Sequence, residues 1–239
     1  MSDYKDLLYK HQTDLRGLKG PAELIRSFTK TAKWYKCRLR RFLPKDPFAE
    51  ILDLPCGYGN FLYFLKKQGY KNVLGIDLDP KQIELATSIG LNAVVGEGLL
   101  FLEDKIDKYD LISSIDFLEH LEKDELLKFL QLCSRALKKN GRMILRMPCS
   151  DGIFGARDRY NDLTHETGFT SGAINVALEV VGFKDIVILD ERPQPYKLVN
   201  LVRWVLFVAF TGLANLVLLA IGISPPRVWT TSMWISAGK

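Results

Sequence analysis

Cysteine and histidine are scarce in this chain, and their placement argues against the common structural metal sites. The 239 residues include four cysteines, none in a CxxC pair, and three histidines that stand far apart in the sequence. Structural zinc sites need clusters of such ligands at short, regular spacings. We therefore expect no metal site, and free thiols favour a reducing compartment, the cytoplasm.

A strong excess of one charge is also lacking. The net charge is only +5, from 33 basic and 28 acidic residues, which is too weak to indicate a nucleic-acid partner. Residues 1–10 are polar and charged, so no signal peptide is expected there. Positive charge is concentrated in 26–45, which contains no acid. This stretch is either a solvated helix face or a patch facing anionic head groups or a phosphorylated substrate.

One stretch lacks charge altogether. Residues 204–223 carry no charged side chain, and their length reaches the threshold for a membrane span. Gly212 and Asn215, at its middle, predict a break into a helical hairpin within 197–223. Such a hairpin would dip into one leaflet at the inner face of the membrane, or be buried as a lid or in a homodimer. A single spanning anchor is the weaker alternative.

Elsewhere, short apolar runs alternate with helical stretches, and each run ends in Gly, Asp or Pro. This alternation indicates βαβ units in an α/β, doubly wound, mainly parallel sheet. Residues 1–47 are predicted to form an N-terminal helical cap and 48–239 the α/β domain. The predicted strands are 51–54, 73–76, 93–95, 111–115, 143–147, 186–189 and 228–236. The predicted helices of that domain are 61–68, 81–89, 124–138 and 171–181.

A glycine-rich loop follows the first predicted strand, where parallel sheets bind their ligands. Gly57 and Gly59 lack a Cβ, so the backbone can turn sharply and a ligand can lie against it. The second strand ends at Asp77, whose carboxylate can accept hydrogen bonds from both hydroxyls of a ribose. Asp77 would alternatively cap the next helix, although Asp79, immediately before Pro80, fits that cap better.

The loop ILDLPCGYGN at 51–60, with this acidic strand end, resembles class I S-adenosylmethionine-dependent methyltransferases. Their usual Asp-x-Gly-x-Gly-x-Gly is matched at Asp53, Gly57 and Gly59, whereas Pro55 replaces the first glycine. The resemblance implies a seven-stranded Rossmann-like methyltransferase sheet. The residues of this chain add N-terminal helices and an apolar helical insertion before the last strand. Further motifs of that family follow in order at 95–98, 109–121 and 136–145.

The resemblance also implies S-adenosyl-L-methionine as the cofactor. In this family the last strand is antiparallel and lies beside the fifth, a place that 228–236 fits. A strand that completes the sheet cannot lie across a membrane from it, which disfavours a spanning insertion. The residues implied to bind the cofactor are Asp53, Pro55, Cys56, Gly57, Gly59, Asp77, Leu78, Glu97, Gly98, Ile115 and Asp116.

Two other functions fit the same fold. A nicotinamide dehydrogenase needs a third glycine in its fingerprint, and position 62 is Leu62. A non-catalytic nucleoside-binding module is the more distant alternative, because a fold alone does not determine a function.

A polar segment, 157–170, lies between the fifth strand and the next helix, on the ligand-binding edge of the sheet. Because an imidazole titrates near neutral pH, His165 is predicted to be a general base, oriented by Asp162 or Glu166. His120, in the fourth motif, competes for this role. The alternative is a polar loop in which His165 merely satisfies backbone groups.

The acceptor is the least specified part of the prediction. The Asp-x-Thr-His string at 162–165 is similar to one in bacterial methyltransferases associated with polysaccharide and O-antigen genes, which implies a sugar, phosphosugar or lipid-linked glycan. The Glu-His pair at 119–120 is also similar to methyltransferases of quinone biosynthesis, which leaves a small-molecule or lipid precursor open. Three candidate substrate residues, two of them suited to a phosphate, are Arg157, Arg159 and Tyr160.

Overall fold

The computed structural model describes Leu8, 20–195 and 197–239. The helices predicted before residue 20 lie, apart from Leu8, outside the described residues. The first described helix, α1, covers Pro21–Leu39 and begins with a proline, whose missing N–H would have no partner in a first turn. Most basic residues of 26–45 are exposed, as on a solvated face, but Arg38 is buried and stacks on Trp34 at 4.3 Å.

Seven strands form one sheet at the centre of the fold. In chain order they are β1 (Glu50–Asp53), β2 (Asn72–Asp77), β3 (Ala93–Val95), β4 (Tyr109–Ile115), β5 (Leu137–Pro148), β6 (Lys184–Asp190) and β7 (Ser232–Gly238). The spatial order is β3-β2-β1-β4-β5-β7-β6. Strands β1 to β5 pair in parallel, and β7 runs antiparallel to both β5 and β6. The predicted sheet, including its late antiparallel strand, is confirmed.

Helices cover both faces of this sheet. After α1 come α2 (Asn60–Gln68), α3 (Pro80–Ser88), α4 (Gly98–Leu102), α5 (Lys123–Ala136), α6 (Gly155–Tyr160), α7 (Ser171–Val181) and α8 (Leu198–Ala220). The short helices α4 and α6 were not predicted. On one face, the buried Trp234 of β7 contacts Trp34 and Tyr35 of α1, with ring centroids 5.5 and 5.6 Å apart. On the other face, α5 and α7 pack against the sheet around Phe129 and Leu178.

The predicted hairpin in 197–223 is wrong, because a single helix, α8, runs through both Gly212 and Asn215. One glycine costs a helix interior only about 1 kcal/mol. The leucine, valine, alanine and phenylalanine residues around it continue the helix without a turn signal.

Helix α8 is the one helix of the described chain that is long and apolar enough to cross a membrane by length and composition. None of its residues is buried. Phe210, at its middle, lies 6.2 Å from the rings of both Phe154 and Trp229, measured between centroids. The apolar surface of α8 is therefore largely uncovered by the rest of the described chain.

The turn from β1 into α2 depends on Gly59. Its φ is +85°, and a Cβ at this position would lie 2.4 Å from Leu91 Cδ1 and 3.3 Å from Ala86 Cβ. Gly59 therefore packs against α3 and the residues after it, although the family resemblance assigns it to the cofactor. Both its backbone conformation and its surroundings require glycine.

We expect Gly59→Ala to lower the free energy of unfolding by at least about 2 kcal/mol, because the cost of a left-handed backbone and the cost of a steric clash add up. Gly172→Ala is a matched control in α7, since its added Cβ would meet no atom within 4 Å. The control should gain about 0.5–1 kcal/mol. Urea denaturation measures both variants, and a Gly59→Ala protein as stable as wild type would contradict this account of the turn.

Candidate active site

The carboxyl ends of β1, β2, β4 and β5 open into one cavity of about 1150 Å³. Ligands of doubly wound sheets bind at this edge. Of the predicted cofactor residues, only Gly59 is missing from its walls, and the three predicted catalytic residues line it as well. The predicted residues on the walls are Asp53, Pro55, Cys56, Gly57, Asp77, Leu78, Glu97, Gly98, Ile115, Asp116, His120, Asp162 and His165.

Asp77 connects the glycine loop to the second strand. Its Oδ2 accepts a hydrogen bond from Gly57 N at 2.7 Å, and its Oδ1 accepts one from Asp79 N at 3.0 Å. Asp79 caps α3 by accepting from Lys81 N, so the preference for Asp79 as the cap is confirmed. Burial raises the pKa of Asp77, and the bonds from these N–H groups oppose the rise. Each carboxylate oxygen keeps a second lone pair for a hydroxyl donor.

Asp53 lies beneath the loop, fully buried, and accepts a hydrogen bond from Ser113 Oγ at 2.6 Å. Burial raises the pKa of Asp53 to about 7, the bond from Ser113 lowers it, and nearby Asp77 raises it further. This carboxyl therefore holds a proton in part of the molecules at neutral pH. Ser113 was not predicted, although a serine in a buried strand was an available signal.

Pro55 and Cys56 form the wall next to this carboxyl. The peptide bond preceding Pro55 is cis. Cys56 N donates to Ile76 O at 2.9 Å, which joins the loop to β2. Burial raises the pKa of the Cys56 thiol, so the thiol stays protonated and is a passive part of the wall.

Glu97 caps α4. Its two carboxylate oxygens accept hydrogen bonds from Leu99 N at 2.9 Å and Leu100 N at 2.6 Å. Across the same end of the cavity, Leu78 is an apolar side chain that is 53% exposed. An exposed apolar side chain beside a polar cap suits a flat heteroaromatic ring.

Arg146, near the end of β5, lines the cavity. Its Nε donates to Glu191 Oε1 at 2.5 Å, and its Nη1 pairs with the carboxylate of Asp116. Burial lowers the pKa of Arg146, but the two carboxylates outweigh this effect and raise it. Trp234 Nε1 donates to the same Glu191 oxygen at 2.8 Å. Sequence reasoning missed Arg146, although a lone arginine in the apolar run MILRMP is unusual.

The two histidines predicted as rival bases meet in the cavity, with ring centroids 4.8 Å apart in a T-shaped contact. His120 ends a short 3-10 helix after β4, and His165 follows α6. The two segments are held together by the carbonyl of Glu119, which accepts from Glu166 N at 2.7 Å and Thr167 N at 3.0 Å. The pair exists only because the chain folds back at this point.

Hydrogen bonds define the tautomer of each neutral imidazole. The Thr164 hydroxyl donates its only proton to Asp162 Oδ1 at 2.6 Å, so the Nδ1–H of His120 donates to that hydroxyl at 2.9 Å. His165 Nδ1 lies 3.3 Å from the carbonyl oxygen of Arg159, which can only accept. Both Nε2 atoms therefore carry a lone pair.

These hydrogen bonds correct the predicted roles of Asp162 and Arg159. Asp162 orients His120 through Thr164, whereas the group at Nδ1 of His165 is a backbone carbonyl and not the predicted carboxylate. Arg159 donates to the carbonyl oxygens of His165 and Glu166 at 2.5 and 2.9 Å, so it shapes the loop. The reason is local: Asp162 engages the backbone and side chain of Thr164, two residues on.

The other predicted substrate residues, Arg157 and Tyr160, are exposed and lie outside the cavity walls. Helical spacing explains this, because Asp158 and Asn161 take the face of α6 that lines the cavity. These two polar residues were missed, and the predicted phosphate-binding role of Arg157 stays a prediction.

Glu119 adds a third group beside the histidines. It is only 2% exposed, and its Oε2 has no hydrogen-bond partner among the described residues. Burial raises the pKa of Glu119 to about 8, and Asp116 adds to the rise. One ligand atom from each of Glu119, His120 and His165 lies within 4.8 Å of the others. The expectation of no metal cluster rested on spacing in sequence, which misses groups that meet only in space.

Comparison with known proteins places this site in a family. A family model described as "Methyltransferase domain" matches residues 28–187. The tRNA U34 carboxymethyltransferase of Vibrio campbellii (strain ATCC BAA-1116) is 27% identical over 155 residues, covering 59% of this chain and 47% of that protein. The EEF1A lysine methyltransferase 2 of Homo sapiens is 36% identical over 75 residues, covering 30% of each. The chain spans about half the length of the carboxymethyltransferases it matches.

Solved structures share the fold. A SAM-dependent methyltransferase from Archaeoglobus fulgidus superposes with a TM-score of 0.66 at 23% identity, covering 87% of this chain and 94% of that one. The phosphoethanolamine N-methyltransferase 2 of Haemonchus contortus, in complex with S-adenosyl-L-methionine, gives 0.62 at 19% identity and covers 87% and 52%. At such identities the likeness shows the fold alone, and it agrees with the predicted Rossmann-like methyltransferase sheet.

The family match covers more than half of the chain and includes the glycine loop, the acidic strand ends and both cavity histidines. The predicted division at residue 47 stays a prediction, and α1 shares one core with the sheet. The chain belongs to the methyltransferase-domain family, the class of enzyme that its glycine-rich loop and Asp77 predict.

Proposed function

We propose that this chain is an S-adenosyl-L-methionine-dependent methyltransferase that methylates a hydroxyl of a sugar, phosphosugar or lipid-linked glycan. One observation carries the proposal. A single cavity brings the glycine loop and Asp77 to one end and two imidazoles with Nε2 lone pairs to the other. A nucleoside-binding end and a proton-accepting end are what transfer to a hydroxyl requires.

The residues of the first end fit the cofactor. Asp77 keeps lone pairs for the ribose diol, and Gly57 allows the backbone to lie against the ligand. Leu78 and the Glu97 cap form the place suited to the adenine ring. Asp53 lies buried beneath the loop, where Ser113 Oγ donates to it. When bound, the cofactor supplies an activated methyl group on a positively charged sulfur.

The second end prepares the acceptor. A hydroxyl needs to lose its proton as it reacts, and His165 Nε2 is the predicted base, with Nδ1–H held by a backbone carbonyl. His120 stands beside it, oriented through Thr164. Asp158 and Asn161 on the cavity wall offer hydrogen bonds to an acceptor with several hydroxyls. These polar groups, and the similarity of 162–165 to polysaccharide-associated methyltransferases, support a sugar.

The exposed apolar helix α8 supports the proposal that the acceptor is presented at a membrane surface, at the inner face of a cytoplasmic membrane. The ends of β6 and β7 pair through Asp190 and Met233, so the segment 191–231 leaves and returns at one place. A helix of 23 residues is about 35 Å long. If it crossed a bilayer, 221–231 would have to return through hydrocarbon as an extended chain with unpaired N–H and C=O groups, which lipid does not tolerate.

We therefore propose that α8 lies in the plane of the membrane surface. No acidic residue occurs in 192–239, whereas Lys197, Arg203 and Arg227 flank or begin the apolar helix. Such a distribution suits anionic head groups. Phe210 of α8 contacts Phe154, which immediately precedes α6, the helix that lines the acceptor end of the cavity. A lipid-linked glycan would thus reach the site from the membrane side.

A lipid or quinone precursor is the second candidate acceptor, because the same uncovered helix would bring it to the cavity. The names of the curated relatives add tRNA and a protein lysine as classes to include in any acceptor screen. Mass spectrometry that detects the gain of one CH₂ separates these classes.

Asp77→Asn is expected to weaken S-adenosyl-L-methionine binding roughly 10- to 100-fold, because the ribose hydroxyls lose their hydrogen bonds to a charged acceptor. Calorimetric titration measures this change. Asp185→Asn is the matched control, since it removes an equally charged side chain outside the cavity, and asparagine tolerates its φ of +47°. Equal affinities of Asp77→Asn and wild type would contradict the placement of the ribose.

His165→Gln is expected to lower turnover by roughly 10²- to 10⁴-fold, the usual contribution of a positioned base. The affinity for S-adenosyl-L-methionine should not change, because His165 lies at the other end of the cavity. The assay uses the acceptor that gains CH₂ in the screen. Unchanged turnover would remove His165 as the base.

Flotation with lipid vesicles tests the membrane proposal. The full chain should float with phosphatidylglycerol vesicles and less with phosphatidylcholine vesicles, whereas Leu206→Glu and Leu213→Glu should stay unbound. Both side chains are about two-thirds exposed, so folding should not suffer. Val180→Glu, on an exposed apolar position of α7, is the control and should float as wild type does. A dimer that both α8 substitutions dissociate, without vesicle binding by wild type, would show that α8 is a protein interface.

A further inference from the structure

We propose that Glu119, His120 and His165 form a binding site for one divalent transition-metal cation at the acceptor end of the cavity. This inference rests on the proposed function, because the cation would activate the acceptor hydroxyl of that reaction. It replaces the expectation of no metal site, which considered only ligand spacings along the sequence.

The geometry of the three groups is close to that of a bound site. Their ligand atoms all lie within 4.8 Å of one another. Metal–nitrogen and metal–oxygen bonds are about 2.0–2.2 Å long, so opposite ligands of one ion are about 4 Å apart. Small side-chain rotations would therefore bring all three atoms to bonding distance.

The buried, unsatisfied carboxyl oxygen of Glu119 is the observation that points to a ligand. Its carboxyl is 2% exposed, it lines the cavity, and its Oε2 has no hydrogen-bond partner among the described residues. A buried carboxyl oxygen without a partner is costly. A cation between this oxygen and the two imidazoles would satisfy it.

Both histidines are already held as metal ligands usually are. A ligating imidazole binds the metal through one nitrogen and donates its other N–H to a carbonyl, hydroxyl or carboxylate. His120 donates Nδ1–H to Thr164, which in turn donates to Asp162, and His165 directs Nδ1 at the carbonyl of Arg159. The Nε2 atoms are left as the ligand atoms.

The donor set indicates the class of metal. Two imidazole nitrogens and one carboxylate oxygen suit Zn²⁺, Fe²⁺, Co²⁺ or Mn²⁺, whereas Mg²⁺ and Ca²⁺ prefer oxygen ligands throughout. Three protein ligands leave coordination positions open for a substrate. A hydroxyl bound there would have a lower pKa and release its proton to solvent. In the loaded site the imidazoles act as ligands, so the cation takes over the activating role assigned to His165.

Direct metal titration tests the site without cofactor or acceptor. The full chain, freed of any affinity tag and stripped with a chelator, is titrated with Zn²⁺ by calorimetry and with Co²⁺ by visible absorption. We expect one cation per chain, and at least a 10-fold loss of affinity in Glu119→Gln and His165→Gln. Thr164→Val should weaken binding roughly 10- to 100-fold by releasing His120. Glu122→Gln, an exposed carboxyl close to Glu119 but outside the cavity walls, should bind as wild type does.

A second measurement needs no variant. Zn²⁺ should protect His120 and His165 from acylation by diethyl pyrocarbonate, as mapped by mass spectrometry of the wild-type chain. Absence of protection, or cation binding that Glu119→Gln and His165→Gln retain in full, would overturn the proposal. A chain that binds S-adenosyl-L-methionine but no cation refutes the metal site alone, and one that binds a cation but not S-adenosyl-L-methionine refutes the cofactor assignment alone.

Discussion

The guanidinium of Arg146 is the charge around which this end of the molecule is built. It emerges from β5 and pairs with Asp116 after β4 and with Glu191 after β6, while Trp234 of β7 donates to the same Glu191. Four strands are thus joined at their ligand-binding edge by one cation that is largely removed from water. Asp116 pairs with Arg146 at the exposed side of this group, whereas the Glu191 side chain is only 18% exposed. Removal of Arg146 would therefore leave the Glu191 carboxylate largely buried without its charge partner.

On the acceptor side of the cavity, backbone carbonyls hold the segments together in a comparable way. The carbonyl of Glu119 accepts two N–H groups from the loop that carries His165, and the loop in turn directs Arg159 back at its own carbonyls. The position of His165 is therefore set by main-chain bonds, not by an adjacent carboxylate. Glu119 itself lines the cavity, and its Oε2 has no hydrogen-bond partner among the described residues.

Local patterns were enough to predict the sheet and the cofactor end of the site. Apolar runs that end in Gly or Asp predict both the strand and its ligand-binding edge. The position of Asp79, immediately before Pro80, predicts that Asp79 caps α3. The acceptor end depends on contacts between residues distant in sequence, so the pairing of His120 with His165 could not be predicted from the sequence. Arg159 carried a plausible charge for phosphate, but helix geometry turned Asp158 and Asn161 to the cavity instead. The predicted hairpin was wrong because Gly212 and Asn215 are weaker signals than the helix-compatible residues that surround them.

The place of β7 has a consequence for the order in which the protein is made. This strand is synthesised after α8, yet it lies between β5 and β6, which have no direct pairing of their own in the sheet. Until Ser232–Gly238 leave the ribosome, β6 has no place in the sheet and Trp234 is not available to cover α1. The apolar α8 emerges during this interval. A nascent chain at this stage carries α8 before its sheet can close, so the apolar surface of this helix is exposed before the fold is complete.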